Sequence, residues 1–70
     1  MDLKVGIYKH FKGSLYKAIG TATHSETKEK LVVYHPINSP SELWTRPIDM
    51  FNETIERDGR IIKRFSFHSD

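Results

Sequence analysis

No cysteine occurs among the 70 residues. That absence excludes disulfides and thiolate metal sites, and it fits a reducing compartment such as a cytoplasm. No apolar run approaches the roughly 18 residues that a membrane-spanning helix needs. Residues 1–11 alternate polar and apolar types, so no secretory signal is expected there. Charge of one sign is not concentrated either. Eleven Lys and Arg against nine Asp and Glu leave a formal net charge of +2. This is far from the dense basic stripes of dedicated nucleic-acid binders, and at this level charge argues for solubility more than for a partner. Repeats and low-complexity tracts are missing. So is a 3.6-residue apolar stripe, which leaves an α/β architecture with little support.

The length allows one domain, residues 1–70, and no second. A chain this short buries only about 60% of the surface its unfolded form exposes. Its core is expected to contribute no more than roughly 3–5 kcal/mol of net stability. Without disulfides, stability must come from aromatic packing, tight turns or self-association.

The dominant period is two, the strand period. Leu3, Val5, Ile7 and Phe11 make one set and Lys4, Tyr8, His10 and Lys12 the other. The apolar set is expected inside and the polar-aromatic set in solvent. Lys12-Gly13-Ser14 reads as a turn. Residues 15–23 alternate again, with Tyr16, Ala18, Gly20 and Ala22 on one face, and Gly20 marks a bulge or bend. Residues 24–30 are polar and read as a hairpin loop. Residues 31–34 form a short apolar strand, and residues 35–42 a Pro- and Ser-rich loop. Residues 43–46 resume as a strand that Pro47 stops, and residues 48–51 form one helical turn behind that proline.

Asp58-Gly59 is the clearest hairpin signal. A two-residue turn places Ile55 opposite Ile62. A three-residue loop with Gly59 in the left-handed region instead puts Ile55 on the face of Ile61, Phe65 and Phe67. The second register buries a coherent apolar set and is the expected one. The fold class that follows is all-β: a small barrel or roll of five to six short antiparallel strands.

Four motifs recur in a known order. They are Gly6-x-Tyr8-x-His10-Phe11-Lys12-Gly13-x-x-Tyr16, Gly20-x-Ala22-x-His24-Ser25-Glu26-Thr27, Val32-Val33-Tyr34, and Leu43-Trp44-x-Arg46-Pro47-x-x-Met50-Phe51, closed by Gly59 and Arg64-Phe65. Together they resemble the bacterial domain-of-unknown-function family 1653, over nearly the whole chain. The resemblance implies an SH3-like small barrel and no assigned activity. Residues 36–41 depart from that pattern, so a ligand contact in that loop would not carry over.

No motif specifies a reaction. The four histidines lie at spacings that put no two side by side on one element, so turn capping is favoured over zinc, which needs three or four ligands converging at about 2.0–2.3 Å. Ser25 between His24 and Glu26 lacks the convergent geometry of a triad, and local backbone bonding suits Ser25, Glu26 and Thr27 better. Trp44 and Arg46 share one strand face and are residue types enriched at binding hot spots. The competing assignment puts Trp44 in the core and pairs Arg46 with Glu42, Asp49 or Glu53. The candidate ligand-binding set is therefore Tyr8, His10, Lys12, His24, Glu26, Trp44 and Arg46, expected on one concave patch. No catalytic residue, metal or cofactor is assigned. A binding or adaptor module for a peptide or anionic ligand ranks first, and RNA or DNA binding second. A small hydrolase or metal-dependent enzyme using His10, His24 and Glu26 ranks third. The expected partners are a protein, a peptide or nucleic acid, not a membrane, and the chain is expected to be monomeric or weakly dimeric.

Overall fold

The computed structural model describes residues 3–70. Seven strands and one helical turn follow one another: β1 Gly6–His10, β2 Leu15–Thr23, β3 Lys30–Pro36, β4 Trp44–Pro47, α1 Ile48–Phe51, β5 Thr54–Arg57, β6 Arg60–Lys63 and β7 Phe65–Ser69. Five of the strands form an antiparallel sheet in the order β4-β3-β2-β1-β7, and β5 and β6 form a separate hairpin. The class is all-β, as expected, with more strands than the five or six read from periodicity. Neither sheet closes on itself among the described residues.

Each element has a local cause. The turn at residues 12–14 folds β2 back on β1, and the Gly13 N–H donates to the His10 carbonyl at 2.7 Å. The β2–β3 register slips between Ala18 and Gly20, which is the bulge that Gly20 marked. Pro47 ends β4 and precedes α1 with φ −52°, a value its ring enforces and a helix start accepts. The core is Tyr8, Ala18, Val32, Tyr34, Ile48, Phe51 and Phe65. It is largely aromatic. The Phe51 and Phe65 rings stack at 4.3 Å, and Tyr8 and Tyr34 meet Phe51 edge-on at 5.1 and 5.6 Å.

Two expectations need correction. In β1 the buried face is that of Tyr8, which is 7% exposed, while Val5 is 52% exposed. Alternation told which residues share a face but not which face is covered. A tyrosine ring brings more apolar area than valine. Its hydroxyl is satisfied by donating to the Lys4 carbonyl at 2.6 Å, so its burial leaves no unpaired polar atom. The last hairpin takes the two-residue turn. Ile55 pairs with Ile62, and Arg57 with Arg60. Asp58 and Gly59 have φ of 54° and 77°, the paired positive values of a type I′ turn. Gly59 is left-handed as expected, but Ile61 is 76% exposed and does not join Phe65 in the core. The type I′ turn matches the twist of the flanking strands, and this outweighed the larger apolar set offered by the other register.

Candidate ligand-binding site

Antiparallel pairing sets Tyr8 opposite Tyr16, Tyr34 opposite Trp44, and His10 opposite Phe65. These side chains share the inner face of the large sheet. Helix α1 covers one end of that face through Ile48 and Phe51, both buried. The other end carries His10, Tyr16, Trp44 and Arg46 and has no such cover. Trp44 is 39% exposed, and His10, Tyr16 and Arg46 are half-buried.

Rings run along this open end. Trp44 and Tyr16 lie 5.7 Å apart, Tyr16 and His10 6.3 Å, and His10 and Phe11 4.4 Å. Arg46 is fixed from below: its Nε–H donates to the Tyr34 hydroxyl at 3.3 Å, and its guanidinium carbon sits 5.9 Å from the Phe65 ring centre. None of the acids weighed as its partners takes it. Glu53 instead pairs with Arg64 at 2.6 Å, and among the described residues no carboxylate pairs with Arg46. The guanidinium therefore keeps donors available in a fixed orientation. A planar fork of this kind matches carboxylate or phosphate.

His10 lies beside these cations. Its Nδ1 accepts the Lys12 N–H at 3.2 Å, which places the proton of the neutral ring on Nε2. Burial lowers the imidazole pKa, and Arg64, Lys12 and Arg46 lower it further. His10 thus offers a neutral N–H donor at pH 7.

The candidate set divides. His10, Trp44 and Arg46 converge, and Lys12 sits at the edge in the first turn. Tyr8 lies in the core, contrary to its expected exposure, with its phenol pKa raised by burial. His24 and Glu26 lie in the β2–β3 turn, at the far end of the long β2 strand. That is roughly 25 Å from Tyr16 at the rise of an extended strand. His24 Nδ1 accepts the N–H groups of Glu26 and Thr27 at 3.1 and 3.3 Å, the capping role weighed for it. Thr27 Oγ1 accepts the Glu29 N–H. Expected as one patch, the seven residues occupy three places: core, open end and distal turn.

Tyr16, Phe11, Phe65 and Arg57 belong to the open end or its border and were not in the candidate set. The turn at residues 12–14 was the signal for Tyr16, because folding back there sets it against Tyr8. Phe65 arrives through β7, a non-local pairing that no local pattern announces. Arg57 reaches across from β5 to lie 5.4 Å from the Phe11 ring centre. It also lines an open depression with Asp58, Arg60 and Ile62 at the hairpin tip. Among the described residues, no three His, Asp or Glu side chains are grouped to hold a metal ion, and no helix is long and apolar enough to cross a membrane.

Residues 6–67 match the family described as protein of unknown function (DUF1653). No curated protein matches the chain. Among solved structures, it is similar to the crystal structure of a DUF1653 protein from Bordetella bronchiseptica. The two are 33% identical over 97% of this chain and 90% of the other, with a TM-score of 0.86.

Proposed function

We propose, for a chain that belongs to the DUF1653 family, a non-enzymatic binding module that holds an anionic or peptide-like ligand on the open end of its sheet. We read the bent five-stranded sheet and its hairpin as an SH3-like small barrel, working in a bacterial cytoplasm. The short strands and the two register slips support the barrel reading, and the lack of cysteine suits a reducing compartment.

One observation carries the functional reading. Arg46 is half-buried, oriented by Tyr34 and Phe65, and has no carboxylate partner among the described residues, while neighbouring Arg64 holds Glu53. Orienting an arginine costs side-chain entropy. An incoming anion would complete the arrangement with charge-assisted bonds. Trp44 and Tyr16 add flat faces beside it. The separation of His10 from His24 and Glu26 gives the hydrolase reading no support.

Trp44 is the only tryptophan, so its fluorescence reports on this surface directly. Titration with tripolyphosphate and with an oligoglutamate peptide is expected to change that emission in a saturable way. Arg46→Ala should weaken capture about tenfold or more, the scale of one charge-assisted bond, with the fold retained at a cost of about 1 kcal/mol from the Tyr34 hydroxyl left unpaired. Saturable capture that survives Arg46→Ala unchanged would remove the site from this surface.

A further inference from the structure

We propose that the ligand is a single-stranded nucleic acid, with bases stacked on the rings of Trp44, Tyr16, His10 and Phe11 and phosphates met by Arg46, Lys12 and Arg57. This rests on the binding reading above and names its ligand class.

The four rings form a continuous row at separations of 5.7, 6.3 and 4.4 Å. All four are partly accessible. Cations border the row. The Arg46 guanidinium lies beside its middle, 5.9 Å from the Phe65 ring that meets His10 and Tyr16 at 5.0 and 5.9 Å, and Lys12 Nζ and the Arg57 guanidinium approach the Phe11 ring centre at 5.8 and 5.4 Å. Arg46, Lys12 and Arg57 have no carboxylate partner among the described residues. Past Phe11, Arg57 and Arg60 bring cations to the tip of the β5–β6 hairpin, with Asp58 between them.

A row of ring faces bordered by unpaired cations suits a polymer that offers a flat ring and a negative charge in every unit. Single-stranded nucleic acid does so, and base–aromatic stacking tolerates any sequence because every base has a π face. A peptide would have to supply acids and aromatics in a matching order. A duplex would keep its base faces stacked inside and present phosphates and groove edges, with no face free to meet a ring. The row lies on an open sheet end and not in a closed pocket, which a continuous strand can cross.

The test uses a short oligouridylate, its duplex with oligoadenylate, and an oligoglutamate peptide, each titrated against wild-type protein by Trp44 fluorescence. Single strands are expected to bind at about 10⁻⁴–10⁻⁶ M at physiological salt, the usual range for sequence-independent contact, and more tightly than the duplex. Trp44→Ala removes the fluorophore, so it is compared with wild type by the anisotropy of a fluorescein-labelled oligouridylate, and it should cost about tenfold or more, the scale of one lost stack. Arg57→Ala, on an exposed hairpin and so without risk to the core, should reduce the salt slope by about 0.7 for its lost phosphate contact. Lys30→Ala, at the opposite end of β3, should change nothing. Oligoglutamate capture without single-strand capture would overturn the nucleic-acid inference and leave the binding reading standing. Duplex binding equal to single-strand binding would also overturn it, because stacking would then contribute nothing. Failure of every ligand would overturn both readings.

Discussion

Tyr8 and Tyr16 face each other across β1 and β2, yet Tyr8 is buried in the core while Tyr16, packed against it, is only half-buried. The difference is what lies above them. Over Tyr8 the chain sends Pro47 and the single turn of α1, which lowers Phe51 onto the sheet. Over Tyr16 no helix is placed among the described residues, and the ring rests against Tyr34 and Phe65 beneath and against Trp44 and His10 at the rim. Both ends are built from the same materials, which are aromatic rings in mutual contact. Composition therefore does not separate a core from a candidate site in so small a protein. Cover does. The covered end has its polar atoms satisfied internally, as with the Tyr8 hydroxyl on Lys4. The open end keeps a guanidinium oriented and, among the described residues, without a carboxylate partner.

The comparison breaks most visibly under truncation. Phe51→Ala removes a ring that is 1% exposed and touches Tyr8, Tyr34 and Phe65. The expected loss is about 3–5 kcal/mol, roughly the whole net stability of a domain this size. Its circular dichroism melt should lack a cooperative transition near room temperature. Trp44→Ala, at the open end, should cost only about 1–2 kcal/mol, since the ring is already partly in water. Equal losses in the two variants would erase the distinction between the ends.

Next in size is Gly6→Ala. A Cβ at Gly6 would lie 2.7 Å from the Ser69 carbonyl oxygen and 2.8 Å from the Phe67 ring, at a φ of 153°. Backbone on β7 cannot yield as a side-chain tip can, so a loss of about 2 kcal/mol or more is expected in urea denaturation. Gly59→Ala meets open space at a φ of 77° and should cost only about 1 kcal/mol, from backbone strain alone. If Gly59→Ala costs more than Gly6→Ala, the hairpin and not the β1–β7 seam is the critical closure.

The smallest effect concerns His10. Its folded pKa lies below the ordinary 6.5, first through burial and then through Arg64, Lys12 and Arg46. The folded state then binds fewer protons than the unfolded state as pH falls from 6.5. The contribution of neutral His10 is thus present above pH 6.5 and is lost as pH drops toward the folded value. Protein melts across this window should show a small decline that His10→Gln abolishes. A bound anion would oppose the three cations and raise the His10 pKa, so anion capture should strengthen between pH 7 and 6. Opposite trends for free and ligand-bound protein would sharpen the identification of the open end with the site.

Much of the fold was legible because its signals are local. The Lys12-Gly13-Ser14 turn, the Gly20 bulge, the apolar residues 31–34 and Pro47 ahead of a helical turn each act within a few residues. The inward face of β1 was not legible, since alternation carries no sign and the deciding contacts come from Phe51 and Phe67, more than forty residues away. The hairpin register turned on turn geometry against burial, and counting apolar residues favoured the losing term. The candidate site was legible in part for the same reason. His10, Trp44 and Arg46, which converge at the open end, were found by residue type. His24 and Glu26 share those types but sit on a loop whose distance from Tyr16 is set by the length of β2. Phe65 and Arg57 arrive only through tertiary pairing.

The distinction between a covered and an open end is tested most directly by a nitrogen–proton correlation spectrum of the labelled protein, titrated with short oligouridylate. The single indole signal of Trp44 and the amides of Lys12, Tyr16 and Arg46 are expected to move together and saturate, while the amides of residues 24–30 stay fixed. Shifts confined to residues 24–30, or none at the Trp44 indole at saturating strand, would contradict the account.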